Sequence, residues 1–285
     1  MDQPSNNLSG LFGEYYYANN CGAPYERTEA WLSFFQKIAD RIITDFNPQT
    51  VLDAGCAKGF LVEGFRRRGV EAWGIDLSEY AIQSVHPDIK DFCFTGSIAQ
   101  PLPRRYDLIV SIEVVEHMPA EEAVRAIENL CQYSDNILLS SSPYDYKEAT
   151  HMNVHPPDYW ARQFARFGFF RDLDYDASYI TPWAARFYKL TGSVQPVIQA
   201  YERHIWQMQT ELKDLRTSVI EYHDRLHHLE SQEAQVQLRA CQQELADIRN
   251  TRSWQMVQKL QSFRVQMAPP GSRREKFLKR LLGRK

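Results

Sequence analysis

No two cysteines in this 285-residue chain are close enough in sequence to form a CxxC pair. The five cysteines, Cys21, Cys56, Cys93, Cys131 and Cys241, are scattered and odd in number, which argues against a dithiol or zinc-knuckle framework and fits a reducing compartment. No apolar run approaches the ~18 residues of a membrane span. The opening MDQPSNNLSG has neither the basic start nor the apolar core of a secretory leader. The chain is therefore expected in the cytoplasm, free or at the inner face of the cell membrane. Between Gln199 and Ala268 there is no proline and no glycine. Nothing in that stretch would break a long helix.

Charge is unevenly spread. From Arg252 onward ten Lys and Arg stand against one acid, Glu275. With a net charge of −3 overall, the preceding residues carry about −12. A basic end on an acidic body suits electrostatic anchoring.

The hydrophobic fraction of 44% allows one full-sized core. Residues 26–45 place Trp31, Leu32, Phe35, Ile38 and Ile42 at helical spacing. A short apolar strand, TVLDAG, follows. LVEGFRRRG then reads as a helix closed by Gly69, and VEAWGID as a strand ending in Asp76. The alternation continues through LSEYAIQSV, DFCFTGSI, YDLIVSIEVVEHMP, AEEAVRAIENLCQY and DNILLSSSP. YWARQFARFGF reads as a further helix, and FRDLDYD with WAARFYKL as a closing antiparallel pair. Strands alternating with helices predict an α/β fold with a doubly wound, mostly parallel sheet.

The sharpest local signal is VLDAGCAKGF, residues 51–60. A dinucleotide fingerprint needs G-x-G-x-x-G. Counting from Gly55, its other two positions hold Ala57 and Phe60, so the fingerprint fails. D-x-G-x-x-x-G stands instead, formed by Asp53, Gly55 and Gly59, with a second acid, Asp76, 23 residues on. An acid at that distance is placed for ribose hydroxyls. A carboxylate at the mouth would repel a pyrophosphate and favour a cation. The cradle suits a ribose-bearing ligand that is not a diphosphate. S-adenosylmethionine, with its sulfonium and ammonium, is one.

VLDAGCAKG, GIDLS, GSI and YDLIVSIEVVEH together resemble the class I S-adenosylmethionine-dependent methyltransferases, over roughly residues 10–190. The resemblance implies a seven-stranded Rossmann-like sheet and S-adenosylmethionine as cofactor. By that likeness Asp53, Ala54, Gly55, Cys56 and Gly59 hold the methionine end. Asp76 takes the ribose hydroxyls, Leu77 lies against the adenine, and Ser97 and Ile98 flank its edge. Ser111 and Glu113, at the end of the fourth strand, and Tyr16, in a segment folding over the cofactor, complete the expected set. Ser97 stands where many members carry an acid, and Ala57 where they often carry glycine.

Methyl transfer to a hydroxyl needs alignment and removal of one proton. His117 follows the fourth strand, at the edge where open α/β sheets bind ligands. It is the expected base, against a structural role at the start of the next helix. Glu113, Glu116 and His117, with His151 or His155, also resemble the ligands of metal-dependent small-RNA and quinone O-methyltransferases, so a divalent ion is an alternative that the reading does not favour. Residues 140–160 lack periodicity and read as a functional loop, with His151, Asn153 and His155 available to a polyhydroxy acceptor.

Ile205, Met208, Leu212, Leu215, Val219, Tyr222, Leu226 and Leu229 alternate spacings of three and four. That seam predicts a coiled coil and a homo-oligomer through residues 200–250. It resumes at Ala234 after a one-residue slip. SRREKFLKRLLGRK, residues 272–285, reads as a basic amphipathic helix for an anionic membrane surface rather than for nucleic acid. The expected organisation is a methyltransferase domain with a helical cap over 1–195, a coiled-coil helix over 196–251 and a basic tail over 252–285. This layout resembles bacterial proteins of surface-polysaccharide assembly, and implies a sugar hydroxyl of a glycan or its precursor as acceptor. A small-molecule or quinone-type O-methyltransferase is one alternative. A methyltransferase-like scaffold without activity is the other.

Overall fold

The computed structural model describes residues 8–267 and 269–272. The basic helix expected over 272–285 lies almost wholly outside the described residues. The chain divides into two compact units, Met1–Ile205 and Trp206–Lys285.

In the first unit a short helix, α1 (Glu14–Asn19), precedes α2 (Glu29–Phe46). The Thr28 hydroxyl accepts from the Trp31 amide and starts α2. Then β1 (Thr50–Ala54), α3 (Phe60–Arg67), β2 (Glu71–Asp76), α4 (Glu79–Gln83) and β3 (Cys93–Thr95) alternate. They are followed by β4 (Leu108–Ile112), α5 (Ala120–Tyr133), β5 (Asn136–Ser140), α6 (Pro157–Ala165), β6 (Phe169–Arg171) and β7 (Ala185–Lys189). The seven strands lie in the order β3-β2-β1-β4-β5-β7-β6. β7 runs antiparallel to both β5 and β6, while the other pairs are parallel. The doubly wound reading holds, including the closing antiparallel pair.

Side chains alternate across the sheet, and both faces are covered. Val51, Val110 and Leu138 join the cluster containing Ile38, Ile42 and Phe65 from α2 and α3. Leu52, Ile109 and Ile137 join the opposite cluster, with Ile127 and Leu130 of α5 and Phe164 of α6. This is why the strands read as continuous apolar runs rather than as alternating ones. Each fully buried Leu or Ile contributes about 1.5–3 kcal/mol. Sequence order reverses between β1 and β4, so the ends of these strands form the switch point where such sheets hold ligands.

α7 (Gln195–Asn250) is one continuous helix of 56 residues. Thr251 interrupts it: its hydroxyl donates to the Ile248 carbonyl and accepts from the Trp254 amide, opening α8 (Arg252–Met267). α8 is an element that the expected division, with its single tail from residue 252, does not contain. The seam side chains of α7 are exposed, from 40% at Ile205 to 68% at Tyr222. No helix among the described residues is long and apolar enough to cross a membrane.

Candidate active site

β1 delivers Asp53 to the switch point, and the chain then turns sharply. Gly55 has φ +93°, Ala57 +47° and Gly59 +74°. A Cβ on Gly55 would stand 2.2 Å from Val114 Cγ2, so only glycine fits there. Ala57 holds a left-handed conformation that costs an L-residue about 1–2 kcal/mol. That accounts for the glycine often found at this position in the resembling family. The turn is tied down from β2: the Gly55 and Cys56 amides both donate to the Ile75 carbonyl, at 2.8 and 3.0 Å.

Two carboxyl groups face this turn. Asp76 accepts the Ala57 amide on one oxygen and the Ser78 amide on the other, both at 2.8 Å. Burial outweighs these bonds and raises its pKa. Burial, and then the charge of Asp76, push the Asp53 carboxyl up to about 8. A cation beside the pair would relieve both effects.

A cavity of about 690 Å³ runs from these acids to His117. That volume suits a cofactor-sized ligand. Tyr16, Asp53, Gly55, Cys56, Asp76, Leu77, Ser97, Ile98, Glu113 and His117 line it. Three expected residues stay out of it. Ala54 and Ser111 are fully buried in their strands, and Gly59 opens α3 behind the turn. α1 forms part of the wall. The Ser78 hydroxyl donates to the Phe12 carbonyl, and the Asn20 amide group donates to Glu148 Oε1 at 3.1 Å.

At the far end a hydrogen-bond chain fixes the imidazole of His117. The Thr150 hydroxyl donates to Glu148 Oε1 at 2.8 Å. Its single proton is thereby used, so its oxygen accepts from His117 Nδ1–H at 2.9 Å. Nε2 keeps its lone pair, 3.4 Å from the Tyr16 hydroxyl. Burial, then neighbouring His151, bring the His117 pKa down to about 4, so the ring is neutral. Glu148 and Thr150 carry no motif. The loop brings them to His117 from more than 30 residues away, and only its lack of periodicity marked it in the sequence.

Glu116, His117 and His151 each offer a ligand atom, all within 4.8 Å of one another. Glu116 Oε2 is buried without a partner, while Oε1 accepts the Ser142 amide. Burial and neighbouring Glu113 hold Glu116 well above the usual carboxylate range. His151 donates Nδ1–H to the Asp145 carbonyl at 2.8 Å, leaving Nε2 free. This oxygen–nitrogen set fits a divalent ion. It is smaller than the expected set. Glu113, at φ +52°, turns its carboxylate to the Ser140 hydroxyl and to Trp183 Nε1. His155 stacks on Tyr159 at 3.7 Å instead of joining the cluster.

A doubly wound sheet with a glycine turn, an acid at the end of β2 and a neutral imidazole across one cavity defines a ligand-binding α/β protein of the Rossmann-like class. A family model described as a methyltransferase domain matches residues 25–170. The chain belongs to that family. It is 30% identical over 121 residues to a ubiquinone biosynthesis O-methyltransferase of Neisseria meningitidis serogroup C (strain 053442), covering 39% of this chain and 51% of that protein. A protein of the same name from Neisseria meningitidis serogroup A is 26% identical over 164 residues, 46% of this chain and 69% of its own. The chain spans about half the length of the first curated relatives it matches. Among solved structures, the magnesium protoporphyrin IX methyltransferase of Synechocystis PCC 6803 with bound SAH gives a TM-score of 0.49 at 17% identity. That match covers 64% of this chain and 99% of the other.

Proposed function

We propose that this protein is an S-adenosylmethionine-dependent O-methyltransferase whose acceptor is a small hydroxyl-bearing molecule of the phenol or quinol type. The cavity carries this reading, with two carboxyl groups at one end and, at the other, a neutral imidazole whose Nε2 lone pair faces the Tyr16 hydroxyl. S-adenosylmethionine would supply an electrophilic methyl on a sulfonium. The residues present fit it. Asp53 meets the cationic end, and Asp76 keeps acceptor capacity for two ribose hydroxyls beyond its two amide bonds. Leu77 and Ile98 give apolar walls for the adenine.

His117 does the proton work. Transfer of the methyl would break its bond to sulfur and leave a neutral thioether, and the strongly acidic proton of the acceptor oxygen would pass to His117 Nε2. An imidazole of low pKa is sufficient for a proton so acidic. The resulting imidazolium shares its charge through Thr150 with the Glu148 carboxylate. α1 and the 141–156 loop shield the reacting atoms from water.

The named curated relatives support the small-molecule acceptor over the glycan suggested by the chain's layout. The test is incubation with labelled S-adenosylmethionine and two panels, catechols with quinols and sugars with lipid-linked sugars. Label on the phenolic panel alone is expected; label on the sugars alone overturns the acceptor class. No S-adenosylmethionine binding by calorimetry would favour an inactive scaffold. A divalent ion on Glu116, His117 and His151 is the second reading, favoured by the unpartnered Glu116 oxygen. Activity lost to a chelator and restored by magnesium or zinc would select it.

A further inference from the structure

The seam of α7 is exposed along its length, and it has a direction written into its flanks. With Ile205 at position a of a seven-residue repeat, the a positions hold Ile205, Leu212, Val219 and Leu226. The d positions run from Met208 to Leu229. Leu215, Val219 and Tyr222 are 64%, 66% and 68% exposed. β-branched side chains occur at a and not at d, the pattern that favours two strands.

Positions e and g border such a seam, and in a parallel pair g of one helix lies beside e of the other, five residues on. Along α7 these couples are Glu211 with Arg216 and Arg225 with Glu230. Both are opposite in charge, and symmetry makes each occur twice. The couples between them, His204 with Gln209 and Ser218 with His223, oppose no like charges. Antiparallel overlap of the same heptads would set e against e and g against g. It would keep Glu211 beside Arg225, but it would oppose Arg216 to itself and Glu202 to Glu230.

We propose that residues 205–229 form a parallel, in-register, two-stranded coil with a second copy of this chain, its direction set by the Glu211–Arg216 and Arg225–Glu230 pairs across the seam. The resumed seam carries a native reporter. Cys241 is the exposed one of the five cysteines and follows Leu238 by three residues, in the d phase. A parallel coil brings it against its own copy.

Sedimentation equilibrium on the full chain at micromolar concentration is expected to give twice 33.3 kDa. Diamide, which takes up the two electrons as two thiols lose their protons and join, should yield a covalent dimer that Cys241→Ser abolishes. Glu211→Lys with Arg225→Glu makes both parallel couples repulsive and leaves the antiparallel couple attractive. It should raise the dissociation constant about tenfold or more, as four surface pairs change sign. Adding Arg216→Glu and Glu230→Arg should restore it. All these positions are exposed, and circular dichroism checks that the variants stay folded. A monomer or a trimer overturns the proposal. A dimer that diamide does not cross-link at Cys241 overturns the parallel register, and an unmoved dissociation constant in the double variant overturns the role of the charges.

Discussion

Leu52 and Leu215 are the same amino acid in two settings. Leu52, in β1, is wholly buried, because β2 and β4 flank it and α5 closes that face. Leu215, in α7, is 64% exposed, and its apolar neighbours lie along its own helix. Strand alternation with helices on both faces lets the first unit bury its apolar residues within one chain. A seam at spacings of three and four, on one helix of 56 residues, finds no such cover within its own helix. The proposed chemistry and the proposed association therefore fall on separate stretches of sequence. Changes in one should leave the other untouched.

The largest separation is expected at His117. His117→Ala should lower turnover about 10²–10⁴-fold while cofactor affinity and molecular mass stay constant. Normal turnover on the true acceptor would remove His117 from the chemistry. Asp76→Ala should weaken S-adenosylmethionine binding by about 1–3 kcal/mol in calorimetry, the cost of unpaired polar partners in a buried site. Unchanged affinity would remove Asp76 from the site.

A smaller effect concerns protons. With its pKa near 8, Asp53 is mostly protonated in the free protein at pH 7. A cationic ligand favours the carboxylate, so binding should release up to one proton. Affinity should therefore rise by at most about tenfold per pH unit between pH 6 and 8, then level off. Calorimetry in buffers of different ionisation enthalpy measures the release. A buffer-independent enthalpy would place the cation elsewhere, and Asp53→Asn should abolish the effect. The smallest effect is the absence of one. A chain ended at Thr191 should lose self-association and keep its cofactor affinity within about twofold, as expected for sites without shared contacts. A lost cofactor site would show that the units are not independent.

The strands of the α/β unit were legible because their runs are apolar and bounded by Gly55, Gly69 and Gly96, and the acids at 53 and 76 because the first stands just before the glycine turn and the second ends a strand. The seam was legible because its period is uninterrupted. What stayed hidden depends on distance along the chain. Tyr16 meets His117 across 101 residues, and no local pattern encodes the Thr150–Glu148 support. Glu113, expected in the cofactor set, lines the cavity, and its carboxylate is engaged by Ser140 and by Trp183, 70 residues away. Ser111, expected beside it, is fully buried in β4 and does not line the cavity.

The contact between Gly55 and Val114 has a consequence for how this chain can vary. The two positions behave as one character, since any side chain at 55 must take its volume from 114. Lineages that replace the glycine should carry a smaller residue at the second position, and the order of events is constrained: the valine must shrink first. A deep mutational scan would register this as sign epistasis. Val114→Ala, a mild loss alone, would be the background on which Gly55→Ala becomes tolerable, with the left-handed backbone as the remaining toll.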